Sequence, residues 1–183
     1  MKLHKLFAFS AILFCGFIFA ANANAQIPNA KEVVAPTAFA SMEPAARGGS
    51  LQVAVVLKIR PGFHINAREK SEEYLIATDL KIPNVPAGFK VGEVAYPKGE
   101  LHTFVFTKKQ LNVYQDTVVL HLPLTVLATA ALGMQHIPMK LRYQACSTEV
   151  CLPPVTLDVD AKLNIVASPA AAKPAHAELF PKQ

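Results

Sequence analysis

Cys146 and Cys151 are the two residues whose type and spacing best suit chemistry in this 183-residue chain. Cys146 follows one predicted strand and Cys151 precedes the next, so both stand at the mouth of a hairpin. Opposed residues of a hairpin lie about 4.5–5.5 Å apart at Cα, a separation that a disulfide can span. Such a bond either stabilises a fold or exchanges with the thiols of a second protein. The spacing leaves both roles open.

The size of the chain bears on this choice. A ring of six residues contributes only about 2 kcal/mol through loop entropy. The predicted domain, residues 50–166, is large enough to fold around its own core. A bond that folding does not need is a candidate for reaction. Structural stabilisation is nevertheless the commonest role of cysteine pairs in exported proteins.

Residues 1–25 have the features of a secretory signal peptide. Two lysines precede the apolar run Leu6–Ala20, and small residues precede a cleavage site after Ala25. The apolar run is about 15 residues long, whereas a membrane-spanning helix needs about 20. We therefore expect export, cleavage near Ala25 and a soluble mature protein in an oxidising compartment. Cleavage also removes Cys15, so that two cysteines remain.

The charge of the chain excludes some classes of partner. Loss of Lys2 and Lys5 with the signal peptide lowers the formal net charge from +5 to +3. The remaining basic residues are scattered, without a basic cluster or a repeat of aromatic and basic residues. We therefore expect no binding to nucleic acid or to an anionic membrane.

A copper site is the metal alternative that the sequence offers. Met134, His136 and Met139 bring two thioethers and an imidazole together in sequence, and these groups suit copper in an oxidising compartment. Met139 shares the strand phase of the core residues, however. The cysteine pair also lacks the second pair that a zinc site needs. We expect no metal and no other cofactor.

The dominant hydrophobic period of the chain is two, which is typical of half-buried strands. It is clearest in residues 51–60, 118–126, 137–143 and 155–165. Shorter candidate strands are residues 62–66, 77–82, 89–95 and 102–107. Because strands do not alternate with helices, the pattern predicts an all-β, immunoglobulin-like antiparallel β-sandwich. The sequence further predicts a leader segment at residues 26–49 and a disordered Ala/Pro tail at residues 167–183.

Strand phase also predicts where the cysteine sulfurs lie. Cys146 follows the polar set Lys140, Arg142 and Gln144, which directs its sulfur away from the core, toward solvent or a covering loop. After Cys151, Pro153-Pro154 withholds two backbone donors. That sequence leaves a sheet edge open beside the sulfurs, where a partner could dock.

Three segments together resemble the N-terminal periplasmic domain of the thiol:disulfide interchange protein DsbD. They are residues 143–154 (YQACSTEVCLPP), residues 61–66 (PGFHIN) and residues 77–99. The resemblance covers roughly residues 49–165. It implies a periplasmic immunoglobulin-like domain that receives electrons from a thioredoxin-like donor and reduces thioredoxin-fold clients, such as disulfide isomerases or cytochrome c maturation factors. By the same resemblance, Cys151 would form the mixed disulfide with the partner and Cys146 would resolve it.

The resemblance also implies a loop with aromatic residues that covers the disulfide. The matching stretch is His102–Thr107, whose two phenylalanines would either cap the site or face the core from a strand. His64 would either tune a thiol or simply pack in the core. The candidates for cap or partner contact are Phe63, His64, Asn66, Phe104, Phe106 and Tyr143.

Two hypotheses of function follow. The first is a monomeric periplasmic relay with protein-disulfide reductase activity. Because the chain ends at Gln183, its electron donor would be a separate membrane protein. The second is a non-catalytic β-sandwich that binds a protein partner and contains a structural disulfide.

Overall fold

The computed structural model describes residues 27–180, which form an all-β fold. The strands are β1 Val34–Ala40, β2 Ala45–Ala46, β3 Ser50–Ile59, β4 His64–Asn66, β5 Asp79–Lys81, β6 Phe89–Val91, β7 Glu100–His102, β8 Leu111–Tyr114, β9 Thr117–Val126, β10 Gly133–Tyr143, β11 Ala145–Cys146 and β12 Val155–Val166. Short 3₁₀ segments occur at Ala30–Glu32, Pro169–Ala171 and Ala177–Leu179.

Two four-stranded sheets form the sandwich. Their strand orders are β1-β3-β9-β6 and β2-β12-β10-β5. All pairs in them are antiparallel except the short β2–β12 pair, which is parallel. The four segments with a clear period of two are the four longest strands, β3, β9, β10 and β12. The predicted immunoglobulin-like antiparallel sandwich is therefore confirmed.

The core lies between these two sheets, where alternate residues of the long strands meet. The inward-facing side chains of the first sheet include Val53, Val55, Leu120 and Leu122, and those of the second include Ile137, Leu141 and Leu163. All of them are at most 1% exposed. Full burial of such an aliphatic side chain contributes about 1.5–3 kcal/mol, so the sandwich has a core that does not depend on a disulfide.

The leader is part of the sandwich, although the sequence placed the domain boundary at residue 50. β1 pairs with β3 along its whole length, from Val34 opposite Ile59 to Ala40 opposite Val53. Because β1 is rich in Ala and Pro, it lacks the alternation of large apolar residues from which a strand is predicted. Pro36 is compatible with β1 because β1 is the edge strand of its sheet and one of its sides needs no donors.

The described part of the tail, residues 167–180, lies against the sandwich instead of forming the predicted disordered segment. The Glu43 N–H donates to the Lys173 carbonyl oxygen at 2.8 Å. Farther along, the Phe180 ring packs on His121 with ring centroids 5.9 Å apart. Backbone pairing of this kind does not depend on large apolar side chains, so composition alone could not predict it.

The predicted signal peptide, residues 1–25, lies outside the described residues. Within residues 27–180, no helix is long and apolar enough to cross a bilayer.

Tyr143, at the end of β10, connects the segment before β1 to the core of the sandwich. The sequence placed this residue among the partner contacts, but its side chain has no exposed surface. It follows Ile137, Met139 and Leu141 on the inward face of β10, as the period of two requires. Its hydroxyl donates to the Ala30 carbonyl oxygen at 2.6 Å. Burial raises the pKa of Tyr143 to about 12.

The Tyr143→Phe variant should be less stable at pH 7 by about 1 kcal/mol, because the Ala30 carbonyl loses its donor. Since the pKa of Tyr143 is raised from 10.0 to about 12, its contribution is present below pH 10 and is lost as pH rises toward 12. Across that range the wild type should lose roughly 2 kcal/mol relative to the variant. Its advantage of about 1 kcal/mol at pH 7 should therefore disappear and then reverse.

Urea denaturation at pH 7 and at several values above pH 10 measures this difference. Tyr74→Phe is the matched control, because Tyr74 is 71% exposed and its substitution should change little. A difference between wild type and Tyr143→Phe that stays constant with pH would contradict this account of Tyr143.

Candidate functional site: a disulfide beneath an aromatic loop

Cys146 and Cys151 form a disulfide across a tight turn, with their Cα atoms 3.9 Å apart. The Ser147 N–H donates to the Val150 carbonyl oxygen at 2.8 Å. The Ser147 hydroxyl oxygen accepts from the backbone N–H groups of Glu149 and Val150, each at 3.1 Å. The four residues between the cysteines thus form a hydrogen-bonded turn that brings the two sulfurs together.

The two cysteines differ in exposure. Cys146 has no exposed surface, whereas Cys151 is partly exposed. After Tyr143 the chain leaves the second sheet and enters a third sheet through β11. The strand order of this third sheet is β11-β4-β8-β7. Of the two positions that strand phase allowed for the Cys146 sulfur, solvent or a covering loop, only the second is compatible with this burial.

The third sheet has two different faces. Ile65, Ala145 and Tyr114 are buried in the main core, so one face packs on the sandwich. Cys146 lies directly opposite His64 in the antiparallel β4–β11 pair. Opposed residues place their side chains on the same face, and adjacent residues place theirs on opposite faces. Cys146 and His64 therefore share the face that points away from the main core.

The loop after β7, residues 103–110, covers this outer face. The Phe104 ring stacks on the His64 ring, with centroids 3.9 Å apart and 16° between the planes. Phe106 stacks in turn on Phe104 at 5.5 Å. Phe104 is also buried in a second apolar cluster with Leu75, Leu111 and Val113. We call residues 103–110 the cover loop.

The sequence predicted a strand over residues 102–107, but β7 ends at His102 and the two phenylalanines lie in the cover loop. Phe104, Val105 and Phe106 alternate with the period of a strand. A loop that packs one of its sides on a sheet has the same alternation, so the sequence pattern does not distinguish the two. Val105 is 86% exposed while Phe104 is 8% exposed, which separates the outer from the inner side of the loop.

Gln144 connects the parts of the site, and nothing in the sequence distinguishes it except its position two residues before Cys146. Its Oε1 accepts from the Asn66 side-chain amide at 3.3 Å and from the Ile76 N–H at 3.2 Å. Its Nε2 donates to the Leu152 carbonyl oxygen at 3.5 Å. Gln144 thus ties β4, the segment before β5 and the residue after Cys151 to the start of β11.

Two buried polar atoms beneath the cover loop have no hydrogen-bond partner among residues 27–180. They are His64 Nε2 and Asn66 Oδ1. Burial, together with repulsion from His102, lowers the pKa of His64 to about 4, so its imidazole is neutral at pH 7. Residues 64 and 66 are two positions apart on β4 and share a face, so both atoms belong to the face that holds Cys146.

Four of the six candidates for cap or partner contact lie at this face or in the cover loop: His64, Asn66, Phe104 and Phe106. Phe63 instead packs against the main core, and Tyr143 is part of it. Strand alternation separates Phe63 from His64, because neighbouring residues point to opposite faces.

The residues considered for copper do not converge. Met139 is 1% exposed in the main core, whereas Met134 is 58% exposed on the other side of β10. The His136 Nδ1 atom lies 2.6 Å from an Asp160 carboxylate oxygen. Within residues 27–180, no three or more His, Cys, Asp or Glu side chains are grouped so that they could hold a metal ion.

The protein is thus a β-sandwich whose disulfide lies beside an aromatic loop. One of its two cysteines, Cys151, is partly exposed, so a thiol could reach the bond. Residues 30–163 match the family described as thiol:disulfide interchange protein DsbD, N-terminal. The match covers well over half of the chain, and the chain belongs to this family. The family resemblance read from the cysteine segment is therefore confirmed.

One similar solved structure is the N-terminal periplasmic domain of ScsB from Proteus mirabilis. The two share 16% sequence identity with a TM-score of 0.44, over 69% of this chain and 44% of that chain. The chain thus spans less than half the length of the ScsB chain it matches. A comparison with curated proteins gives no match.

Removal of the Phe104 ring should expose the disulfide to small thiols. We expect Phe104→Ala to be reduced by dithiothreitol about tenfold faster than wild type, because access limits exchange at a shielded sulfur. Val105→Ala is the matched control, since this neighbour in the same loop is 86% exposed and covers nothing. Rates are compared without denaturant after tyrosine fluorescence shows that each variant is folded. Equal rates for the two variants would show that the loop does not shield the bond.

Proposed function

We propose that this protein is a periplasmic thiol–disulfide relay domain, which passes an electron pair from a thioredoxin-like donor to thioredoxin-fold clients. The observation that carries the proposal is the unequal exposure of the two bonded cysteines, with Cys151 partly exposed and Cys146 buried. Membership of the interchange family supports it.

The exchange is balanced as two displacements at sulfur. In the reduced domain, the Cys151 thiolate attacks a sulfur of the client disulfide, and the other client sulfur leaves as a thiolate. Cys146 then attacks the Cys151 sulfur, and the second client sulfur leaves. The domain is oxidised to its disulfide, and the client gains two electrons and takes up two protons. The exposure of Cys151 supports its role as the cysteine that meets the partner.

Exposed apolar side chains near the disulfide support a protein partner. Val150 in the turn is 42% exposed, and Phe106 in the cover loop is 39% exposed. Pro153 and Pro154, just after Cys151, are also exposed. Docking of a partner would remove this apolar surface from water while it brings a client sulfur to Cys151.

The proposal includes the cellular setting expected from the sequence. The protein is exported, its signal peptide is removed near Ala25, and it acts as a monomer. A separate membrane protein supplies its electrons, and its clients are disulfide isomerases or factors of cytochrome c maturation. The activity is that of a protein-disulfide reductase.

The complete burial of Cys146 favours one alternative, a non-catalytic binding module with a structural disulfide. In that case the cover loop protects a permanent bond, and partners bind without exchanging thiols. Trapping of a covalent intermediate distinguishes the two functions.

The reduced Cys146→Ser variant should form a disulfide-linked adduct with an oxidised thioredoxin or an oxidised periplasmic disulfide isomerase. Cys151 can still attack the client, but no thiol remains to release it. Non-reducing electrophoresis measures the adduct, and reduced Cys151→Ser is the matched control, in which the buried Cys146 should give little or none. If neither protein is trapped, or if both variants trap equally, the relay proposal is wrong.

A further inference from the structure

His64 lies on the face of the third sheet beneath the cover loop, which we call the covered face, and the two displacements do not use it. It is 1% exposed, lies opposite Cys146 in the β4–β11 pair and is stacked beneath Phe104. A side chain there with a packing role alone could be fully apolar. An unpaired buried nitrogen costs about 1–3 kcal/mol, which calls for a second role.

The Nε2 atom of His64 is buried and has no hydrogen-bond partner in the part of the chain that the structure describes. Asn66 Oδ1 is the other unpaired atom of this face. The orientation of that amide is fixed, because its Nδ2 donates to two oxygens, the Ile76 carbonyl and Gln144 Oε1. An amide oxygen can accept a hydrogen bond from a thiol, but it cannot take the proton. The imidazole nitrogen can do both.

We propose that His64 is the proton acceptor for the buried Cys146 thiol in the step that resolves the mixed disulfide. This inference rests on the proposed relay function and deepens it. It follows from the position of His64 directly across from Cys146 on the covered face and from its unpaired ring nitrogen.

The need for an acceptor follows from burial. Cys146 must be a thiolate to attack the Cys151 sulfur, and a buried thiol without a base resists ionisation. In the proposed step, the Cys146 S–H proton passes to His64 Nε2 as the Cys146 sulfur attacks. The S–S bond between Cys151 and the client breaks, and the client sulfur leaves with the electron pair. The imidazolium then returns its proton to the departing thiolate or to water.

The surroundings of His64 keep its ring neutral while the disulfide is closed. The other titratable groups of the covered face are Cys146 on β11 and Glu100 and His102 on β7. The Nε2 atom of His102 lies 3.2 Å from Oε2 of Glu100. β8 contributes the apolar Leu111 and Val113 to this face. The cover loop contributes two phenylalanine rings, and its Lys109 pairs with Glu72 at 2.7 Å. Burial, followed by repulsion from His102, lowers the pKa of His64 to about 4 while the disulfide is closed. A pKa this low makes the ring a weak base, so the transfer depends on the negative charge that develops on the Cys146 sulfur and favours an imidazolium beside it.

The experiment separates the two displacements with a small disulfide, 5,5′-dithiobis(2-nitrobenzoate). The reduced domain releases one thionitrobenzoate when Cys151 attacks, at a rate proportional to the reagent concentration. It releases a second when Cys146 closes the ring, at a rate independent of that concentration. Absorbance at 412 nm follows both phases. Cys146→Ser should give the first phase alone, which assigns the phases.

We expect His64→Phe, which keeps a stacking ring, to leave the first phase unchanged and to slow the second by about 100-fold at pH 7. The defect should shrink as pH approaches the ionisation of the thiol itself, where no base is needed. His64→Gln, which keeps a polar side chain that cannot take a full proton, should show the same pH profile and serves if His64→Phe does not fold. His136→Gln is the matched control at an exposed histidine and should match wild type.

A second phase that both His64 variants retain within a factor of about three at pH 7 would overturn the inference. So would a defect of equal size at every pH, which indicates lost packing and not lost proton transfer. Failure of the relay itself has a different result: reduced Cys146→Ser traps no thioredoxin-fold client, although the second phase of the wild-type domain depends on His64.

Discussion

The short pairing of β4 with β11 is the constraint on which the site depends. Through this pair, Ile65 and Ala145 anchor the third sheet in the main core, while His64 and Cys146 are turned to the opposite face. One strand pair thus ties the disulfide to a rigid sandwich and also places it outside the sandwich core. A reactive bond inside the main core could not be reached, and one on a free loop would not be held in register with its neighbours.

The cover loop gives the site its second property, which is an aromatic cover over the face that holds Cys146 and His64. Phe104 packs on His64 and belongs to a small apolar cluster separate from the main core. Movement of this loop would therefore disturb few buried contacts, and the sandwich would remain folded. The half-exposed Phe106 and the exposed Val105 present apolar surface that a docking protein could cover as it displaces the loop. Cys146 has no exposed surface, whereas the partly exposed Cys151 leaves one sulfur that a protein partner could reach.

Strand periodicity predicted the sandwich and its four long strands because half-buried strands carry a strict alternation of apolar residues. It missed β1, whose alanines and proline give no apolar alternation, and it could not foresee the tail contacts, which are made through the backbone and a few rings. The spacing of the cysteines predicted the disulfide, and the family resemblance pointed to His64, Asn66, Phe104 and Phe106. The role of Gln144 was not predicted, because side-chain hydrogen bonds between distant segments leave no periodic trace.

A relay requires that the Cys146–Cys151 bond be readily exchanged, and the reduction potential of this bond shows whether it is. The potential is obtained by equilibrating the domain in redox buffers of known composition and trapping free thiols by alkylation. We expect a value less negative than about −270 mV, within the range of proteins that exchange disulfides. A value below about −300 mV, typical of structural disulfides, would contradict the relay.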